Sequence, residues 1–79
     1  MLGIVFTSLI EMLEEKVSPE FADEVITEAG LESQGAYTAV GRYPYDELVK
    51  ILTVLEQKTG KSQEELQHDF GYYLFGRLA

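Results

Sequence analysis

Apolar residues recur at intervals of three and four positions in four separate segments of this 79-residue chain. That spacing places side chains on one stripe of an α-helix, whereas a half-buried strand would show strict alternation. The pattern predicts an all-α fold of four helices, at residues 2–17, 19–29, 45–59 and 62–78. A chain of this length has room for one domain, whose helices bury their stripes against each other.

Capping sequences mark several of the predicted helix ends. Ser18 followed by Pro19 is typical of a helix start, because the serine hydroxyl accepts a backbone N–H and proline suits the first helical position. Ser62 and Glu65 match the capping box, in which the two residues satisfy each other's backbone N–H groups. A glycine follows the second and third predicted helices, as expected for a left-handed C-terminal residue. Asp46 is predicted to cap the third helix.

The connection at residues 31–44 has no helical period and is long for a loop without structure. We therefore expect an ordered loop that packs against the rest of the chain. Three apolar or aromatic side chains could anchor it to the core, namely Tyr37, Val40 and Tyr43. A short extended piece is predicted around residues 37–40.

Charge and composition exclude several classes of partner. The formal net charge is -8, which disfavours nucleic acid and anionic membrane surfaces, since both attract Lys and Arg. The apolar N-terminal segment lacks the basic start of a signal peptide, and no segment has the ~18 uncharged apolar residues of a membrane span. With no cysteine, disulfides and thiolate metal sites are excluded. These features predict a cytoplasmic protein that binds neither nucleic acid nor membranes.

The sequence contains no recognisable catalytic constellation. His68 is the only histidine, and a metal or acid–base site would need several convergent ligands around it. The paired carboxylates are adjacent in sequence, so on a helix they point about 100° apart. We predict no catalytic residue, no metal site and no enzyme activity for this chain, with His68 as a partly exposed helix residue.

The last predicted helix has two apolar faces. Its first stripe comprises Leu66, Phe70, Tyr73 and Leu74. Outside that stripe lie Tyr72, Phe75 and Ala79, with Leu78 at its edge. The other three helices can cover only one side, so the second face indicates a partner, a ligand or a further part of the protein.

Several motifs along the chain together resemble the start of an H-NOX domain, the heme-nitric oxide/oxygen binding family. They are "MLGIVFTSLIEMLEEK", "AGLESQGAYTAVGRYPYDELVKIL", "KTGKSQEEL" and "FGYYLFGRL". Because family members are longer, the resemblance implies that residues 1–79 are a single, truncated subdomain forming the distal half of the heme pocket. The implied cofactor is heme. Its axial histidine and its tyrosine–serine–arginine propionate set would lie outside this chain, and His68 does not occupy the axial position.

The resemblance also assigns a distal heme wall. By position along the matching helices, its residues are Val5 and Leu9 on the first helix with Leu74, Phe75 and Leu78 on the fourth. Without the resemblance these would be ordinary core residues. None offers a hydrogen-bond donor, which favours nitric oxide over dioxygen because bound dioxygen carries more negative charge.

Two functional hypotheses follow. The first is the distal subdomain of a bacterial heme-based nitric oxide sensor, not competent for axial heme ligation alone. Its implied partners are the remainder of the H-NOX domain and a histidine kinase, a cyclic-di-GMP enzyme or a chemotaxis receptor. The second is a small acidic helical protein–protein interaction module. If the chain folds alone, the second face of its last helix, with Val5 and Leu9 nearby, is predicted to mediate self-association. This would occur either as a symmetric homodimer, the default, or by exchange of the last helix.

Overall fold

The computed structural model of the chain describes residues 1–32 and 34–78, without the side chains of residues 77 and 78. Its four helices are α1 (Gly3–Lys16), α2 (Pro19–Ala29), α3 (Tyr45–Thr59) and α4 (Gln63–Leu78). The all-α prediction is confirmed, with every helix end within one residue of its predicted position. Within the described ranges, no helix is both long enough and apolar enough to span a membrane.

Two of the predicted helix starts form as their sequences indicate. The Phe21 N–H donates to the Ser18 hydroxyl over 3.0 Å, and Pro19 follows as the first helical residue. At the start of α4, the Glu65 N–H donates to the Ser62 hydroxyl, and the Ser62 N–H donates to the Glu65 carboxylate, each over 3.1 Å. Both capping predictions are confirmed.

The predicted cap of α3 is wrong. The helix begins at Tyr45, and the residue before it is Pro44, in an extended conformation. Pro44 has a ψ of 141°, which places it outside the helix, so that Tyr45 is the first helical residue. Asp46 therefore lies inside the first turn, where a carboxylate still interacts favourably with the helix dipole.

The apolar core draws on all four helices and on the start of the loop. Its buried members are Phe6, Leu9, Leu13, Ala22, Val25, Leu31, Ile51, Leu52, Val54, Leu55 and Leu66. Val54 is among the buried residues of α3. Val49, on the same helix, is 36% exposed.

A short backbone pairing joins the start of the chain to the end of the loop. The Met1 ammonium and the Tyr43 carbonyl are 2.7 Å apart, the Tyr43 N–H donates to the Met1 carbonyl, and the Gly3 N–H donates to the Gly41 carbonyl. We call the pairing of residues 1–3 with residues 41–43 the N-terminal clasp. The extended piece predicted at residues 37–40 lies instead at residues 41–43, because residues 39–40 form a turn.

Aromatic rings fill the space beneath the N-terminal clasp. Phe6 is fully buried and stacks on Tyr37 with a centroid distance of 4.5 Å, while Tyr43 meets both rings edge-on. The prediction that Tyr37 and Tyr43 anchor the loop is confirmed. The same prediction for Val40 is wrong, since the turn leaves this side chain 92% exposed.

Candidate functional site

Helix α4 carries apolar side chains both toward the bundle and away from it. Leu66 is buried and Phe70, Tyr73 and Leu74 are half-buried, which confirms the first predicted stripe. Tyr72 and Phe75, by contrast, are 80% and 76% exposed. We call Tyr72 and Phe75 the α4 outer face. The prediction of a second apolar face on this helix is confirmed for these two residues. The side chains of Leu78 and Ala79, which were predicted to belong to it, are not among those that the structure describes.

The position of α4 in the bundle explains this exposure. The helix packs against α1 and α3, and the main packing of α2 is against those same two helices. Leu66 and the half-buried residues already occupy the side that α1 and α3 cover. Tyr72 and Phe75 lie outside that covered side, which leaves both side chains largely exposed.

Polar contacts hold α4 in place on its covered side. The Tyr73 hydroxyl donates to a Glu15 carboxylate oxygen on α1 over 2.7 Å. Lys61, just before α4, makes an ion pair of 2.7 Å with Asp69. The hydrogen bond from Lys61 to Asp69 raises the pKa of Lys61 above its ordinary value. These contacts join α4 to α1 and to the segment just before α4, and neither involves Tyr72 or Phe75.

The structure distributes the predicted heme-wall residues from the core to the surface. Leu9 is 1% exposed and belongs to the core, Val5 and Leu74 are half-buried, and Phe75 is largely exposed. The side chain of Leu78 lies outside what is described. Of the four described residues, Phe75 therefore has the most surface free for a further contact.

A groove of about 650 Å³ runs between α1 and α4. Eleven residues line it: Met12, Leu13, Lys16, Val17, Lys61, Leu66, His68, Asp69, Tyr72, Tyr73 and Gly76. We call this the α1–α4 groove. None of the four wall residues with described side chains, Val5, Leu9, Leu74 and Phe75, lines it. Sequence patterns missed the groove because it depends on the separation of two helices that are distant in sequence.

His68 lies on the rim of this groove, exposed as predicted. Among the described residues, no three His, Asp or Glu side chains converge as they would to hold a metal ion. The chemistry available at α4 is thus apolar contact, with a few charged groups at the edge of the groove.

A family model described as Haem-NO-binding matches residues 2–79. Among solved structures, the Fe(II) unliganded H-NOX protein from K. algicida is 33% identical to this chain, with a TM-score of 0.93. An alanine-to-glycine mutant of the same protein, also Fe(II) unliganded, is 35% identical with the same TM-score. Each comparison covers 99% of this chain and 42% of the other, so the chain spans less than half the length of these proteins. A search of curated proteins gave no match.

Proposed function

The chain belongs to the Haem-NO-binding (H-NOX) family, and we propose that it forms the distal half of a heme-based gas-sensing domain. In this proposal Leu74 and Phe75 on α4, with Val5 at the start of α1, contact the porphyrin. The remainder of an H-NOX domain supplies the iron ligand. The role is that of a sensor rather than of an enzyme.

The side chains present fit one part of a heme site. Val5, Leu74 and Phe75 are apolar and partly or largely accessible, as an apolar porphyrin face requires. The only histidine, His68, lies seven residues before Phe75, about 10 Å along the helix, and lines the α1–α4 groove. The described residues therefore fit the apolar wall but not the axial ligation. When bound, heme would supply the iron that takes up the gas.

The observation that carries the proposal is the exposure of Phe75 beside the half-buried Leu74. The core of the bundle is complete without Phe75, so internal packing gives no reason for a phenylalanine there. A large aromatic side chain left in water at that position favours a contact with a group outside this chain.

The chemistry of the proposed wall bears on gas selectivity. Its side chains are Val, Leu and Phe, which donate no hydrogen bonds. A dioxygen complex gains more from a donor than a nitric oxide complex, because its outer atom is more negative. On this basis we propose nitric oxide as the ligand that this half of the pocket favours. Cytoplasmic signalling partners, such as a histidine kinase, a cyclic-di-GMP enzyme or a chemotaxis receptor, belong to the same proposal.

A chimera tests the proposal directly. Residues 1–79 would replace the matching segment of the K. algicida H-NOX protein, whose fold they share. We expect the chimera to load heme, and Phe75→Glu to lower its heme content by at least about fivefold, because a carboxylate would be buried against the porphyrin. Val40→Glu introduces the same charge at another largely exposed apolar residue and serves as the matched control. Unchanged heme loading in the Phe75→Glu chimera would contradict the wall assignment.

The isolated 79-residue chain provides a second test. We expect no ferrous absorption band typical of five-coordinate, histidine-ligated heme when heme is added to it. Any absorption change should survive His68→Ala, because apolar adsorption does not need an imidazole. A ligation band that disappears in His68→Ala would show that His68 binds the iron, and would contradict the proposal that the iron ligand comes from the remainder of the domain.

The exposure of Tyr72 and Phe75 also favours a second candidate, a protein–protein interaction module. Aromatic residues of this kind are enriched at the centres of protein interfaces. The chimera separates the two candidates, since an interaction module has no reason to complete a heme pocket. A chimera that folds but loads no heme would favour the module.

A further inference from the structure

We propose that the α1–α4 groove is a binding site for an amphipathic anion, specifically a carboxylate with a single medium-length alkyl chain. This site is distinct from the proposed heme wall, because none of the wall residues whose side chains are described lines the groove. The inference does not depend on heme binding.

The dimensions of the groove suit a small molecule rather than a protein. Its volume of about 650 Å³ lies within the usual range of small-molecule sites. Eleven residues line it, whereas a stable protein interface engages about 20–30 residues on each side. Met12, Leu13 and Leu66 give it an apolar interior against which an alkyl chain would be removed from water.

The charge at the rim selects the sign of the ligand. The chain has six Lys and Arg residues and a net charge of -8, yet Lys16, Lys61 and His68 all line this one groove. Lys61 is paired with Asp69, the only acidic residue of the lining. Lys16 makes no ion pair within the described part of the chain, so its ammonium is available to a ligand carboxylate.

The neighbouring carboxylate of Glu15 makes no ion pair with Lys16 in the described part of the chain. Glu15 lies next to Lys16 in sequence, but one of its carboxylate oxygens accepts the hydrogen bond from Tyr73. Tyr73 thereby links α1 to α4 across the groove. An apolar interior with an available cation at its rim is complementary to an alkyl carboxylate.

Gly76 makes a sharp blocking experiment possible. It lines the groove, and a Cβ added there would meet no atom within 4 Å. Gly71 lies on the same helix with equally open space, but it does not line the groove. Leucine favours the helix at both positions, so Gly76→Leu and Gly71→Leu differ mainly in whether the new side chain enters the groove.

The probe is decanoate below its micellar concentration, added to the 79-residue chain and followed by calorimetry and by NMR shifts of backbone amides. We expect saturable binding of one decanoate per chain, with the largest shifts at residues 12–17 and 69–76. Gly76→Leu should weaken binding by at least about tenfold, because its side chain takes the place of the alkyl chain, while Gly71→Leu should leave it unchanged.

Two further arms test the role of charge. Lys16→Gln should weaken decanoate binding by about threefold, as expected for an exposed charge pair, without changing the binding of decanol. Decanol should bind the unmodified chain more weakly than decanoate. Absence of saturable decanoate binding, equal binding of decanol, or equal effects of Gly76→Leu and Gly71→Leu would each overturn the proposal. Because Gly76→Leu leaves the proposed heme wall intact, heme loading of the chimera distinguishes failure here from failure of the proposed function.

Discussion

Phe6 and Phe75 are both phenylalanines on helices of one small chain, yet Phe6 is fully buried and Phe75 is 76% exposed. Around Phe6, the N-terminal clasp and the rings of Tyr37 and Tyr43 close one side of the bundle. Around Phe75, no element of the described chain provides a cover. Contacts within the chain bury Phe6, whereas Phe75 is accessible to a ligand or to another protein surface.

This difference separates what stabilises the fold from what is available for function. Truncating a fully buried side chain destabilises the fold, because the core gives up apolar burial and retains a cavity, while an exposed side chain contributes little to folding. The clasp region should therefore respond strongly to substitution, and the α4 outer face should tolerate substitution without loss of helix.

The largest expected effect is at Phe6. Phe6→Ala should lower the free energy of unfolding by about 3–5 kcal/mol, comparable to the whole stability of a chain this small. Since a loss of that size can prevent folding altogether, Phe6→Leu gives a milder change, of about 1–2 kcal/mol, that leaves most of the packing. Urea unfolding followed by circular dichroism measures both. Phe75→Leu is the matched control and should change stability by less than about 0.5 kcal/mol. If Phe6→Leu and Phe75→Leu lowered the free energy of unfolding equally, the claim that only Phe6 stabilises the fold would be contradicted.

A second pair of substitutions compares glycines in the two regions. A Cβ on Gly3 would collide with the Thr38 carbonyl oxygen, so Gly3→Ala should force the clasp apart and lower stability by about 1–3 kcal/mol. On α4, Gly76→Ala meets no atom within 4 Å and should raise stability by about 1 kcal/mol, because alanine favours the helix. Thermal unfolding of the two variants should show shifts of opposite sign. Shifts of the same sign would mean that the clasp does not constrain Gly3.

The smallest expected effect concerns the buried carboxylate beneath the clasp. Glu47 is 4% exposed and accepts a hydrogen bond of 2.6 Å from the Tyr37 hydroxyl. Tyr37→Phe keeps the ring stacking on Phe6 but removes this donor, so it should cost about 1–2 kcal/mol. Tyr72→Phe on the α4 outer face removes an exposed hydroxyl and should have no measurable effect on urea unfolding. A neutral result for Tyr37→Phe would show that other partners of Glu47 suffice.

Local sequence signals were enough to predict the helices and most of their caps. The hydrogen bonds at Ser18 and Ser62 join residues three positions apart, so the sequence contains both partners of each contact. The prediction for Asp46 was wrong because the helix begins one residue earlier, at Tyr45, directly after Pro44. The second apolar face of α4 was predictable because it follows from helical spacing alone.

Contacts between residues far apart in the chain could not be predicted from local sequence patterns. The N-terminal clasp joins residues about 40 positions apart through backbone groups. The side chains of Met1 and Gly41 therefore give no indication of the pairing in the sequence. Val40 looked like an anchor from its hydrophobicity, but its direction depends on the turn at residues 39–40. The burial of Glu47 likewise depends on Tyr37, ten residues earlier in the loop.

The central claim is that the α4 outer face is an interaction surface, whereas the side chains beneath the N-terminal clasp are already buried by contacts within the chain. Sedimentation equilibrium of the 79-residue chain tests it most directly, since a free apolar face should be covered by a second copy. We predict a dimer that strengthens with salt, because screening reduces the repulsion between chains of net charge -8. Phe75→Glu should weaken the dimer by more than about tenfold, and Val40→Glu, with the same added charge, should leave it nearly unchanged. A monomer at high micromolar concentration, or equal effects of the two substitutions, would contradict the claim.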